Sequence, residues 1–137
     1  MNVLLETTTI SAILRQEQNT VARLNALSPP NDVLAISLVS YGEIWYGLEV
    51  MPQGQRRRER EQRARDLFAR VILEPVTQDV AHAYVKIKSD LHRKGEMIPE
   101  ADLWIAATAK ANGYVLVTRD DHFSRVEGLI VEDWSKL

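Results

Sequence analysis

The chain has 137 residues, of which 45% are hydrophobic and 26% are charged, and this balance is typical of a soluble globular protein with a substantial core. It contains no cysteine, which excludes disulfide bonds and thiolate-bound zinc. The formal net charge of −2 argues against a protein that wraps nucleic acid by charge alone, and no apolar run approaches the ~20 residues of a membrane helix.

Short apolar runs alternate with segments of helical period, and Pro, Gly and Asn separate them. In chain order we predict strand Val3–Leu5, helix Thr8–Arg15, helix Thr20–Leu27, strand Val33–Leu38, helix Tyr41–Val50, helix Arg56–Arg70, strand Val71–Val76, helix Thr77–Lys94, helix Glu100–Ala111, strand Tyr114–Thr118, a short helical piece over Asp120–Val126 and strand Leu129–Val131. This alternation indicates an α/β fold with a mainly parallel sheet. We expect one domain over residues 1–137, and a cytoplasmic location because the N-terminal sequence MNVLLET resembles no secretion signal.

Acidic residues follow the predicted strands or begin the predicted helices. Glu6 comes directly after the first strand, and Asp120, with Asp121 beside it, follows the YVLVT strand by two residues. Glu43 and Asp102 lie in the first turns of their predicted helices. Because the carboxyl ends of parallel strands meet at one edge of a sheet, we expect these carboxylates to converge there.

Each acid also has a local explanation. The tetrapeptide Ser40-Tyr41-Gly42-Glu43 spells S-x-x-E, a capping box in which the glutamate bonds back to the N-cap amide. Asp102 complements the positive end of its helix, Asp120 suits a turn, and Glu6 suits the start of a helix that Thr8 or Thr9 caps.

Taken together, the carboxylates indicate a site for a hard divalent cation. Clustered carboxylates repel one another unless a cation neutralises them, and Mg²⁺ and Mn²⁺ prefer oxygen ligands. Such ions activate water and stabilise charge during phosphodiester cleavage. The three histidines are scattered, and we predict none of them as a ligand: His82, His92 and His122.

A strongly basic run, QRRREREQRAR, spans residues 55–65 and holds six arginines and two glutamates. Such a run is typical of a solvated helix face, with Arg56, Arg60 and Glu61 able to pair at helical spacings. The alternative is contact with the phosphates of RNA.

Three blocks of the sequence resemble PIN-domain ribonucleases. LLETTTISAIL resembles their opening LLDTNxxSxxL, and ISLVSYGEIWYGLE resembles their second block. IPEADLWIAATAKANGYVLVTRDDHFSRVEGLIVEDW resembles their third and fourth blocks together. The nearest likeness is to the VapC toxins of bacterial toxin–antitoxin modules.

The resemblance implies a three-layer α/β/α sandwich around a mainly parallel sheet, and Mg²⁺- or Mn²⁺-dependent endonucleolytic cleavage of RNA such as tRNA. It also implies a homodimer, and a hetero-oligomer with a VapB-type antitoxin whose C-terminal segment occupies the active-site groove. The residues carried over by position are Glu6, Glu43, Asp102 and Asp120 as catalytic metal-holding acids, with Thr118 and Asp121 as neighbouring groups. The candidate contacts for RNA are suggested by charge and not by the resemblance, and they are Arg56, Arg57, Arg58 and Arg119.

The opening block departs from the family pattern. Where the family has Asp, Thr and Asn, this chain has Glu6, Thr7 and Thr8. The added methylene moves the carboxylate by roughly 1.5 Å on a fixed backbone, and Mg²⁺ demands near-ideal geometry. The alternative to an active ribonuclease is therefore an impaired PIN domain that binds antitoxin or RNA without efficient cleavage. A receiver-like phosphoacceptor domain also gathers acids at strand ends, but the C-terminal blocks fit it poorly.

Overall fold

The computed structural model describes residues 1–136, which form five strands, six α-helices and one 3₁₀ helix. The elements are β1 Asn2–Leu5, α1 Thr7–Leu14, α2 Gln18–Asn25, β2 Val33–Ser37, α3 Leu38–Glu49, α4 Gln55–Phe68, β3 Ile72–Glu74, α5 Gln78–Lys94, α6 Glu100–Asn112, β4 Val115–Val117, the 3₁₀ helix Asp121–Arg125 and β5 Val131–Glu132. Within this part of the chain, no helix combines the length and the apolar character needed to span a membrane.

The strands form one sheet in the order β3-β2-β1-β4-β5, and every neighbouring pair is parallel. The mainly parallel sheet predicted from the sequence is therefore confirmed. Leu5 at the end of β1 lies opposite Val117 at the end of β4. The amide of Glu6 continues the pairing, donating to the carbonyl of Val117 at 2.9 Å. The residues that follow β1 and β4 are consequently neighbours.

The sheet is covered on both faces. Leu4 and Leu116 point into a core with α5 and α6, whereas Leu5 and Val117 point into a second core with α1, α3 and α4. Successive residues of a strand face opposite sides, so buried strands in a covered sheet are apolar throughout. The result is the three-layer α/β/α sandwich that the resemblance implied.

Several predicted helix bounds differ from the structure, and the predicted helix Thr20–Leu27 is α2, Gln18–Asn25. Helix α3 begins at Leu38, and its N-cap is Ser37, whose Oγ accepts from the amide of Ser40 at 3.0 Å. Glu43 therefore lies in the second turn of α3, and the S-x-x-E segment is not a capping box. Helix α1 is capped by Glu6, not by Thr8 or Thr9, because the Glu6 carboxylate accepts from the amide of Thr8.

Two strand positions also differ from the prediction. Strand β3 covers only Ile72–Glu74, which is shorter than the predicted 71–76. The last strand is Val131–Glu132 and not 129–131, because pairing with β4 sets its register and places Val131 opposite Leu116.

Candidate functional site

Glu6 lies at the carboxyl edge of the sheet and is 3% exposed. One carboxylate oxygen, Oε1, accepts from the amide of Thr8 at 3.1 Å, from Thr8 Oγ1 at 2.5 Å and from Thr118 Oγ1 at 2.6 Å. Among residues 1–136, no group donates to the other oxygen, Oε2. Burial raises the pKa of Glu6, and the hydrogen bonds from Thr118 and Thr8 oppose that rise. Glu6 is thus both a helix cap and a buried acid at the strand edge.

Asp102, Asp120 and His122 form a compact group beside Glu6. One potential ligand atom from each of the three side chains lies within 4.8 Å of the other two. The His122 Nδ1 is 3.0 Å from Asp102 Oδ2 and 3.3 Å from Asp120 Oδ1. Burial raises the pKa of Asp102, the negative charge of Asp120 raises it further, and the hydrogen bond with His122 opposes the rise. The negative charge of Asp102 in turn contributes to the raised pKa of Glu6.

Local backbone structure places these three side chains. Asp102 is in the first turn of α6, as the sequence predicted. Asp120 caps the 3₁₀ helix, because its Oδ1 accepts from the amide of His122 at 2.9 Å. This turn brings the His122 ring back over Asp120 and towards Asp102.

Thr118 joins the two halves of the site. Its Oγ1 donates to Glu6 and accepts from the amide of Asp120 at 3.0 Å. The Thr118 side chain is 2% exposed, so both bonds are shielded from water. Thr118 therefore fixes the positions of the acid before α1 and the acid after β4 relative to one another.

Glu43 lies at the same edge and is hydrogen-bonded to Thr7, the first residue of α1. Its Oε1 is 2.6 Å from Thr7 Oγ1, which is also 3.0 Å from Ser40 Oγ. Glu43 is exposed and does not belong to the group of Asp102 and its two neighbours. Asp102 and Asp120 therefore lie together with His122, and the charge of Asp102 acts on the nearby Glu6. Glu43 is outside the compact group and is linked to this edge through Thr7.

His122 was not predicted at the site, and Asp121 was. Asp121 is exposed and outside the compact group, although its carbonyl accepts from Ser124 Oγ at 2.7 Å within the 3₁₀ helix. The signal for His122 was the D-x-H spacing, because an aspartate that caps a turn holds the residue two positions later close to its own carboxylate.

The predicted arginines differ in their environments. Arg57 donates to the carbonyls of Glu49 and Met51, both at 3.1 Å, and pairs with the Glu61 carboxylate at 3.0 Å. The pairing predicted for Glu61 with Arg56 or Arg60 is wrong, since Arg57 occupies that carboxylate at the i,i+4 spacing.

The remaining arginines proposed for RNA contact are of two kinds. Arg56 and Arg58 are exposed on the outer side of α4. Arg119 pairs with Glu17, and this pairing lowers the pKa of Glu17. Arg57 and Arg119 therefore already have carboxylate partners within the fold, whereas Arg56 and Arg58 project into solvent.

Similarity to known proteins extends over nearly the whole chain. The family model described as PIN domain matches residues 3–129. Ribonuclease VapC1 of Haemophilus influenzae (strain R2866) is 32% identical over 139 residues, covering 99% of this chain and all of the relative. The solved structure of VapBC-1 from nontypeable Haemophilus influenzae superposes with a TM-score of 0.84 at 28% identity, covering 99% of this chain and 100% of that one.

A second solved structure shares the fold at a lower sequence identity. VapBC-5 from Mycobacterium tuberculosis, described as a member of the VapBC family of toxin–antitoxin systems, superposes with a TM-score of 0.74 at 25% identity, and the match covers 96% of each chain.

Proposed function

The chain belongs to the PIN domain family, and from that premise we propose that it is a metal-dependent endoribonuclease, the toxin of a VapBC-type toxin–antitoxin pair. The observation that carries the proposal is the group of Asp102, Asp120 and His122 within 4.8 Å of one another, next to the buried Glu6. The names of the relatives support both the reaction and the toxin role. The substrate class is RNA, with tRNA as one candidate.

The donor set suits a divalent cation. Two carboxylates lie together, and burial with mutual repulsion raises the pKa of Asp102, so a cation would relieve the repulsion. Asp102 and Asp120 would hold the ion, and the Glu6 Oε2 would reach it directly or through water. Mg²⁺ and Mn²⁺ are the candidates, and the imidazole of His122 favours Mn²⁺, because Mg²⁺ prefers oxygen ligands. When bound, the cation supplies Lewis-acid activation of water and stabilises charge on the phosphodiester.

The chain's own residues orient the acids. Thr8 and Thr118 hold the Glu6 Oε1, which leaves Oε2 for the ion or for a water molecule. His122 holds the carboxylates of Asp102 and Asp120 in one orientation. Glu43, held by Thr7, would act on the site through water. The effect is a preorganised acidic site that needs little reorganisation when RNA binds.

The proposed partners are a VapB-type antitoxin and a second copy of this chain. Leu38 and Tyr46 on α3 and Val50 at its C-cap are 42%, 71% and 61% exposed. Large apolar side chains at helical spacing on a surface are typical of protein interfaces. We assign these exposed side chains of α3 to the homodimer, and the groove that leads to the acids to the C-terminal segment of the antitoxin.

A second candidate function is an impaired PIN domain that binds antitoxin or RNA without efficient cleavage. The observation in its favour is that Glu6, which stands where the family has Asp, lies outside the compact ligand group and uses Oε1 to cap α1. An acid committed to a helix cap has less freedom to complete the coordination of a metal ion.

Induction in cells tests the toxin role. We expect expression of the chain alone to arrest growth and to produce discrete cuts in cellular RNA, and co-expression of a small antitoxin-like protein encoded next to it to prevent both. Growth arrest without any new RNA ends would contradict the ribonuclease proposal. Neither arrest nor cuts would favour the impaired domain.

A further inference from the structure

A small cavity of about 140 Å³ lies between α1, α3 and α4, and its lining includes Thr7, the residue that follows Glu6. Thr7 and Glu43, which are hydrogen-bonded to each other, belong to its lining. Arg15 and Arg60 also line it. The cavity therefore contains groups from the catalytic edge together with two guanidinium groups.

The cavity is elongated along helices α1 and α3. Thr7, Ser11 and Arg15 follow one another at intervals of four residues along α1, so the path from Thr7 to Arg15 is roughly 12 Å. On α3, Glu43 and Gly47 are likewise four residues apart, and a Cβ placed at Gly47 would have no heavy atom within 4 Å. The groove between α1 and α3 is open at Gly47 and leads away from the acids towards the arginines.

Arg60 has no carboxylate partner in residues 1–136, whereas Arg57 and Arg63 on the same helix do. Arg57 is paired with Glu49 and Glu61, and Arg63 donates to the carbonyl of Leu14 at 2.9 Å. The contact of Arg63 with Leu14 fixes α4 against the end of α1, and this docking brings Arg60 to the cavity. Arg60 is only partly exposed and lines the cavity.

Arg15 also forms only a weak ion pair. Its nearest carboxylate is Glu17, at 4.0 Å, and Glu17 already accepts from Arg119 and from Thr20 Oγ1. The Arg15 side chain is 45% exposed, and a surface pair at this distance contributes little to stability. Two cationic groups without a strong internal partner thus face the same cavity.

We propose that Arg15 and Arg60 form a subsite for a backbone phosphate of the RNA, away from the cleaved bond; the assignment rests on the ribonuclease function proposed above. Guanidinium groups bind phosphate through paired, charge-assisted hydrogen bonds, and Ser11 adds a hydroxyl donor. Glu43 at the other end of the groove repels phosphate, so the strand is held by the arginines and directed past the acids. The arginines offset the repulsion between the acidic site and the RNA backbone.

The test measures the affinity of a single-stranded RNA oligonucleotide in EDTA at several salt concentrations, so that metal and cleavage play no part. The variants are Arg15→Gln, Arg60→Gln and the double variant, with Arg65→Gln as matched control, because Arg65 is exposed on the same helix and bonds only to Gln62 in residues 1–136. We expect each single variant to bind about tenfold more weakly, and the slope of log affinity against log salt to fall by about 0.7 for each lost contact. Equal unfolding temperatures establish that the variants are folded.

A second experiment, with chemically modified RNA, identifies which phosphate binds at the subsite. A series of oligonucleotides carries one neutral methylphosphonate each, and we expect one position to weaken binding to the unmodified protein but not to the double variant. Affinity and salt slope that match those of the unmodified protein in the double variant would overturn the subsite. Loss of antitoxin binding with RNA binding retained would also overturn it and assign the cavity to a protein ligand. If the arginine variants weaken RNA binding but the unmodified protein never cleaves RNA, the subsite stands and the cleavage proposal fails.

Discussion

Thr118 Oγ1 donates a hydrogen bond of 2.6 Å to Glu6 Oε1, joining residues 112 positions apart in the chain. The contact depends on the pairing of β1 with β4, which sets Leu5 opposite Val117. The threonine hydroxyl also accepts from the amide of Asp120. One buried hydroxyl therefore couples the central strand pair of the fold to the geometry of the acidic site.

The first prediction concerns this hydroxyl. Thr118→Val keeps the shape of the side chain, but it removes one of the three hydrogen bonds to the Glu6 carboxylate and leaves the Asp120 amide without its acceptor. We therefore expect the free energy of unfolding to fall by about 1–3 kcal/mol. We also expect slower RNA cleavage, because the two acids lose their common anchor. Chemical denaturation and single-turnover cleavage measure the two effects.

Thr108→Val is the matched control for the Thr118 variant. Thr108 is also fully buried, but its hydroxyl bonds to the carbonyl of Trp104 within α6, away from the acids. We expect normal cleavage from the control variant. A Thr118 variant that cleaves as fast as the Thr108 variant would show that the hydroxyl has no role in the site.

The second prediction concerns the pH dependence of stability. The pKa of Glu6 is raised by burial, so in EDTA the folded state holds a proton that the unfolded state releases as pH rises above its ordinary pKa of 4.5. The stability of the protein therefore falls as pH rises through the interval between the unfolded and folded pKa values of Glu6. Glu6→Gln removes this loss of stability at high pH, because the amide does not ionise, and its side-chain oxygen still accepts hydrogen bonds from Thr8 and Thr118. We expect a higher unfolding temperature than the unmodified protein at pH 7 and no gain at pH 4.

Thermal unfolding at pH 4 to 8 checks the Glu6→Gln prediction, with Asp121→Asn as control, because Asp121 is an exposed acid outside the compact group. A stabilisation by Glu6→Gln that is equal at pH 4 and pH 7 would exclude charge burial as its cause.

The third prediction concerns His122. Its hydrogen bond lowers the pKa of Asp102, so His122→Ala should raise that pKa and make protons compete more strongly with a metal ion. We expect the affinity for Mn²⁺ to fall, and to fall more at pH 6 than at pH 8. Isothermal titration with Mn²⁺ alone measures the change, and His92→Ala, an exposed position on α5, serves as control. Equal Mn²⁺ affinity in the two variants would show that His122 does not contribute to metal binding.

The fourth prediction separates the two candidate functions. Glu6→Asp restores the residue type that the family resemblance implies, but it shortens the side chain and draws the carboxylate away from Thr118. If Glu6 is adapted to its three hydrogen bonds, we expect cleavage to change by less than about tenfold and the unfolding temperature to drop. A gain in cleavage of a hundredfold or more would instead identify the native chain as an impaired PIN domain.

The sequence was sufficient to predict the parallel α/β sheet, because strands of continuous apolar residues alternate with helices. It also located Asp102 in the first turn of α6 and Asp120 after β4. Both features depend on local patterns, namely hydrophobic period and chain order, and such patterns are readable without tertiary structure.

Other features depend on tertiary contacts as well as on local pattern. The helix after β2 starts at Leu38 because Ser37, the last residue of the strand, serves as its cap. His122 reaches Asp102 only through the turn that Asp120 caps. Which arginines of α4 face the site depends on how that helix docks on α1, and the six arginines of the basic run look alike in the sequence. The local and functional roles of Glu6 coexist, since one oxygen caps α1 and no group in residues 1–136 donates to the other.

The most direct test of the central claim is cleavage of RNA by the purified chain in Mn²⁺, before and after addition of EDTA, with Asp102→Asn measured in parallel. We predict cleavage that EDTA abolishes, that added Mn²⁺ restores, and that Asp102→Asn reduces by about a hundredfold or more, the size of effect expected when a group that stabilises transition-state charge is removed. Cleavage that persists in EDTA, or that the Asp102 variant retains in full, would contradict a metal-dependent site at these acids.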